Sequence, residues 1–72
     1  MDICSIIGGN IRKLRTDQGL SQEELAFRAE IDRSYLSEIE NGYKNLSVEV
    51  LAQLAQALDI NICDLFVGYR KK

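Results

Sequence analysis

The chain has 72 residues, 46% hydrophobic and 28% charged, with a formal net charge of −2, which is enough apolar material for one small core and one domain. Histidine and proline are absent, and the only cysteines are Cys4 and Cys63. Without histidine no nucleophile–base pair can be assembled, and two thiols alone make no zinc site, so an enzyme is excluded and neither cofactor nor metal is expected.

Apolar residues recur at helical spacing along the chain, and no stretch alternates as a strand would. Ile7, Ile11 and Leu14 stand at i, i+4 and i+7 and predict a first helix over roughly 5–18, with Gly8 and Gly9 near its start. Gly19 stops it in the left-handed conformation that suits glycine. Ser21-Gln22-Glu23-Glu24 spells a capping box, opening a second helix that turns Leu25, Ala26 and Ala29 inward. Asp32 is the expected cap of a third helix, 33–40, which Asn41-Gly42 ends. Ser47 caps a fourth helix with Leu51, Leu54, Ala55 and Leu58 along one side, and Ile62, Leu65 and Phe66 predict a short fifth over about 62–67. The expected fold is all-α, a compact bundle of five short helices in a single domain over 1–72, its core roughly 7–66.

Only Glu30, Ile31 and Asp32 separate the second helix from the third. A link of three to four residues between two short helices is helix-turn-helix spacing, in which the second helix is free to enter a major groove. Ala26 is small where two such helices must cross closely. Tight links also suit any small α-domain, so the spacing alone does not decide the matter.

The wider pattern is more specific. Leu20-Ser21-Gln22-Glu23-Glu24-Leu25-Ala26, then Ile31, Leu36 and Ile39-Glu40-Asn41-Gly42, then Leu51-Leu54-Ala55-Leu58, resembles the Xre/Cro-type helix-turn-helix family of phage and bacterial repressors. Asp32-Arg33-Ser34-Tyr35-Leu36-Ser37 followed by Lys44-Asn45-Leu46-Ser47 is similar to the controller proteins of restriction–modification systems, which are small dimers without a sensor domain. The resemblance implies a lambda-repressor-like DNA-binding domain. It implies phosphate-clamping roles for Gln22 and for the loop of Asn41, Tyr43, Lys44 and Asn45, and a salt bridge of Arg15 with Glu40 that braces the first helix against the third.

The residues can also be read physically. With Leu36 and Ile39 inward, Ser34, Ser37, Glu38 and Asn41 project outward, and Arg33 begins the helix whose N-terminal part meets base edges in this motif. Arg33 suits guanine O6/N7, Ser34 and Ser37 suit bases or phosphates, and Glu38 either accepts from a cytosine amine or excludes wrong sequences by repulsion. Without the resemblance, the same face reads as solvated surface. Gln22 opens the second helix, where unpaired N–H groups favour a phosphate. Asn41-Gly42 serves as helix stop and clamp alike, and Tyr35 suits phosphate contact or packing. Arg12 and Lys13 attract phosphate diffusely or are plain surface.

Net acidity argues against a nucleic-acid partner only globally, since binding follows local potential, and Arg12, Lys13 and Arg15 cluster, as do Arg70, Lys71 and Lys72. No apolar run is long enough to span a bilayer, and Met1–Asp2–Ile3–Cys4 lacks a secretory start, so a cytoplasmic protein with free thiols, Cys63 part-buried, is expected. Apolar residues near the C-terminus, Ile60, Ile62, Leu65, Phe66 and Val67, exceed what one thin layer needs and suggest a homodimer interface. The leading expectation is a dimeric, sequence-specific regulator of transcription on a palindromic double-stranded operator. The alternative is an antitoxin-like protein-interaction module with secondary DNA binding.

Overall fold

Helices begin in this chain where a short polar side chain replaces a missing backbone partner. The computed structural model describes residues 2–43 and 46–69; Lys44 and Asn45, expected phosphate contacts, and the basic end 70–72 lie outside the described residues. Helix α1 runs Ile3–Asp17, starting earlier than the apolar spacing predicts, because Asp2 accepts a hydrogen bond from the Cys4 N–H at 3.1 Å and caps it there. Gly19 follows with φ 73. Helix α2, Gln22–Ala29, opens on a complete capping box in which Ser21 Oγ accepts from the Glu24 N–H and Glu24 accepts from the Ser21 N–H, both at 3.0 Å.

Helix α3 spans Arg33–Glu40, but Asp32 precedes it with extended backbone only and makes no capping bond with its side chain. The turn between α2 and α3 is closed by Glu30, left-handed at φ 60, and by the Ile31 N–H donating to the Ala26 carbonyl at 3.0 Å. Helix α4, Val48–Leu58, starts where Ser47 Oγ accepts from the Val50 N–H. The expected fifth α-helix is a 3-10 turn over Ile62–Phe66. Five residues are too few to offset helix nucleation, and Asn61 supplies no capping bond. The described residues are therefore four α-helices and one 3-10 turn.

The core takes Ile7 and Ile11 from α1, Leu25, Ala26 and Ala29 from α2, Leu36 and Ile39 from α3, and Leu51, Leu54, Ala55 and Leu58 from α4. Helix α2 packs on both α3 and α4, while α1 lies across α3 and the C-terminal turn. Leu65 completes this core at 0% exposure, so it does not stand at a free surface as a dimer contact requires. The same turn leaves Cys63 exposed rather than part-buried, and Cys4 is the half-buried thiol.

Three side-chain amides tie distant backbone into place. Asn10 Nδ2 donates to both the Leu65 and the Val67 carbonyls at 2.8 Å, Gln18 Nε2 to the Leu58 carbonyl at 2.7 Å, and Gln53 Nε2 to the Ala29 carbonyl at 3.2 Å. The Ala29 and Leu58 carbonyls are among those a helix end leaves without an internal partner.

Candidate nucleic-acid interface

Helix α3 turns Leu36 and Ile39 into the core and leaves Arg33, Ser34, Glu38 and Asn41 exposed, with Ser37 half-buried. Arg33 is the first residue of α3, so its side chain stands at the end of the helix next to the α2–α3 turn. Tyr35 is half-buried against the core and meets Tyr43 edge to face, ring centroids 6.4 Å apart and planes at 84°. Tyr43 is also held by its main-chain N–H, which donates to the Glu38 carbonyl at 3.0 Å.

The C-terminal residue of α3 carries the densest polar cluster. Glu40 is 5% exposed and is the one buried charged residue among those described. Arg15 reaches it from α1 with two donors, Nε to Oε2 at 2.7 Å and Nη2 to Oε1 at 3.1 Å, and its Nη1 donates to the Leu20 carbonyl at 2.9 Å. Gln22, first residue of α2, donates from Nε2 to Glu40 Oε1 at 3.0 Å. Arg12 bridges outward, Nε to Glu40 Oε1 at 3.5 Å and Nη2 to Asn41 Oδ1 at 3.3 Å, while Asn41 Nδ2 donates to the Ser37 carbonyl at 2.9 Å.

Burial pushes the Glu40 carboxyl up, but the bonds from Arg15 and Gln22, the Arg15 charge and the bond from Arg12 together outweigh it and hold the group below its ordinary value. Breaking a buried ion pair by removing one partner costs about 3–5 kcal/mol, and here Arg12 and Gln22 would remain to offset part of the loss of Arg15.

The structure brings Gln22, Arg12, Arg15, Glu40 and Asn41 into one cluster, and so revises the expectation for the α1 cations. Arg12 is tied to Glu40 and Asn41, and Lys13 pairs with Asp17 at 3.2 Å, so neither is simply a free cation on the surface. Arg12 and Arg15 stand at i and i+3, on one side of α1, a spacing that lets both reach one partner, although the resemblance pairs only Arg15 with Glu40. Of the expected dimer contacts, Ile60 and Phe66 are half-buried against the core, whereas Ile62 and Val67 are exposed.

Two short helices joined by a three-residue turn, the second carrying a polar outer face, define a helix-turn-helix domain. Residues 11–65 match the family described as Helix-turn-helix, and the chain belongs to that family, in its Xre-type branch of DNA-binding transcription regulators. Among its relatives, Control protein C.MunI of a Mycoplasma species is 38% identical, covering 99% of this chain and 97% of that protein. The crystal structure of the restriction-modification controller protein C.AhdI from Aeromonas hydrophila superposes with a TM-score of 0.84 at 46% identity, covering 88% of this chain and 96% of that one. The clp gene regulator ClgR of Corynebacterium glutamicum matches with a TM-score of 0.84 at 34% identity, covering 90% and 84%. No described helix is long and apolar enough to cross a membrane.

Proposed function

We propose that this protein is a cytoplasmic, homodimeric regulator of transcription that recognises a palindromic double-stranded operator, of the kind that controls a restriction–modification operon. The observation that carries the reading is the outer face of α3, where Arg33, Ser34 and Glu38 stand exposed on a helix whose opposite side is locked into the core. A rigid helix of this kind can lay its N-terminal side chains against base edges in a major groove.

In this reading Arg33 takes guanine O6/N7, Ser34 and Ser37 reach bases or phosphates, and Glu38 accepts from a cytosine amine. Gln22, Tyr35, Asn41 and Tyr43 hold the phosphate backbone on either side and set the register, which carries affinity rather than sequence. The exposed Ile62 and Val67, with half-buried Ile60 and Phe66 beside them, form the apolar surface for a second copy. Two-fold symmetry in the protein then requires two-fold symmetry in the DNA.

Selection from a pool of random duplexes tests the proposal directly. The expected product is a palindrome whose half-sites are centred about one helical turn, roughly 34 Å, apart. Repeating the selection with Arg33→Ala should relax one position per half-site and weaken preferred-site binding by about 1–3 kcal/mol. A pool that yields no enriched sequence, or an Arg33→Ala logo identical to that of the unaltered protein, overturns the assignment.

A further inference from the structure

The geometry points to Glu40 as a positioning residue for DNA binding, one that sets the contact groups on both flanks of α3 without touching DNA itself. The inference rests on the reading of Gln22 and Asn41 as phosphate contacts. A carboxylate offers only acceptors. Gln22 must therefore turn its amide nitrogen, not its oxygen, toward Glu40, as the 3.0 Å Nε2–Oε1 bond shows. One N–H of that amide is taken by Glu40, and the other remains as a donor whose orientation is already set. Released from an acceptor-only neighbour, the amide is free to turn over and present its oxygen, which an anionic phosphate repels.

Asn41 is sorted in the same sense at one remove. Arg12, bonded to Glu40, offers only donors and so engages the oxygen of Asn41 at 3.3 Å, while one N–H of Asn41 goes to the Ser37 carbonyl at 2.9 Å. Each amide keeps one N–H beyond these bonds, and that of Gln22 stands on the nitrogen that Glu40 holds in place. A single buried carboxylate thus arranges the donor ends of two amides, one opening α2 and the other just past the end of α3, directly for the first and through Arg12 for the second.

Three roles for Glu40 predict different results for Glu40→Gln. If the residue were only a negative charge near a polyanion, the substitution would tighten binding. If it were only a brace, the melting temperature would fall and the folded protein would bind as before or tighter. As a positioning residue, its replacement weakens binding.

The test is fluorescence-anisotropy titration of the full chain with a selected operator duplex and a random-sequence duplex of equal length, well below the melting transition. Glu40→Gln should weaken both duplexes by about three- to tenfold, the loss of roughly one hydrogen bond. Added to Gln22→Ala, it should cost less than its own effect alone, because the two act through one contact. Unchanged or tighter binding, or two effects that multiply independently, overturns the assignment. Should Glu40→Gln fail to fold, Arg12→Met and Asn41→Ala at the exposed rim replace it, with non-additive losses expected and independent ones overturning. An unaltered protein that binds neither duplex overturns the DNA-binding reading itself, whereas normal binding with an unweakened Glu40→Gln overturns only the positioning role.

Discussion

Gly8 of α1 lies directly against the main-chain carbonyl of Ile39 in α3. A Cβ added to Gly8 would collide with that oxygen and stand 3.0 Å from the Glu40 carbonyl oxygen, and both are backbone atoms that cannot swing aside. The neighbouring Gly9 has nothing within 4 Å of the same added atom. Helical glycine costs roughly 0.5–1 kcal/mol relative to alanine, so adjacent glycines should respond with opposite signs. Gly9→Ala is expected to stabilise the fold by about 0.5–1 kcal/mol, and Gly8→Ala to destabilise it by about 1–3 kcal/mol. Denaturant unfolding of the two variants checks this; shifts of the same sign would refute the close approach of α1 to α3.

Acid should act on the same junction through Glu40. Its carboxyl is held below the ordinary 4.5 in the folded state, burial raising it and the Arg15, Gln22 and Arg12 contacts lowering it further. The folded protein thus binds fewer protons than the unfolded chain in this range. The stabilisation is present above about pH 4.5 and is lost as pH falls through the folded value. Melting temperatures measured between about pH 6 and pH 3 should fall for the unaltered protein. Glu40→Gln should start lower and fall less. Some slope should persist, because Glu24 is also lowered, chiefly by its bonds with Ser21 and in part by the Arg28 charge.

The salt dependence of operator binding should be moderate. Arg12, Lys13 and Arg15 each already share their charge with a carboxylate, and Gln22 and Asn41 would grip phosphate as neutral donors. Counterion release counts only phosphates neutralised by cations, with a slope of about −0.9 each, so a dimer should show on the order of −3 to −6 rather than the near −10 of a strongly basic repressor. Titrations at several salt concentrations read the slope directly. A nearly flat line would remove the phosphate clamp and favour a module built for protein partners.

Val67, 64% exposed beside Ile62, is the most accessible of the apolar residues at the C-terminal turn. A carboxylate there should oppose association without disturbing the core. Val67→Asp is expected to raise the dimer dissociation constant at least about tenfold, the order of cost for burying an unpaired polar group, with little change in far-ultraviolet circular dichroism. Sedimentation at tens of micromolar would show the difference. An unaltered protein that sediments as a monomer at that concentration would count against the dimer.

Much of this architecture is legible in the amino-acid sequence, for reasons particular to each element. The start of α2 is spelled out because both halves of its capping box are local, Ser21 and Glu24 lying three residues apart. Its end is harder, since Glu30 occupies a left-handed position where glycine commonly signals a stop, and only the length of the link betrays the turn. The C-terminal turn misleads because apolar residues three and four apart suit a 3-10 turn as well as an α-helix, and shortness decides between them. Asn10 and Gln18 stand in the apolar register of Ile7, Ile11 and Leu14, but nothing local shows that their partners are carbonyls at the far end of the chain. For Arg12 the sequence reveals a cation, and no local pattern reveals Asn41 as its partner.

Helix α1 holds the two ends of the molecule in a fixed phase. Asn10 grips the backbone of the C-terminal turn and, two residues on, Arg12 grips the Glu40–Asn41 corner of α3, with no joint between them in one 15-residue helix. In the proposed dimer, the surface that would pair copies and the surface that would face DNA therefore turn together as one solid body. One extra base pair at the centre of an operator carries the second half-site about 3.4 Å along the axis and rotates it by roughly 35°. Among the described residues α1 offers no hinge between these two surfaces. Within a subunit nothing in this strut yields to follow the displaced half-site, and the strain passes to the dimer seam or to the DNA.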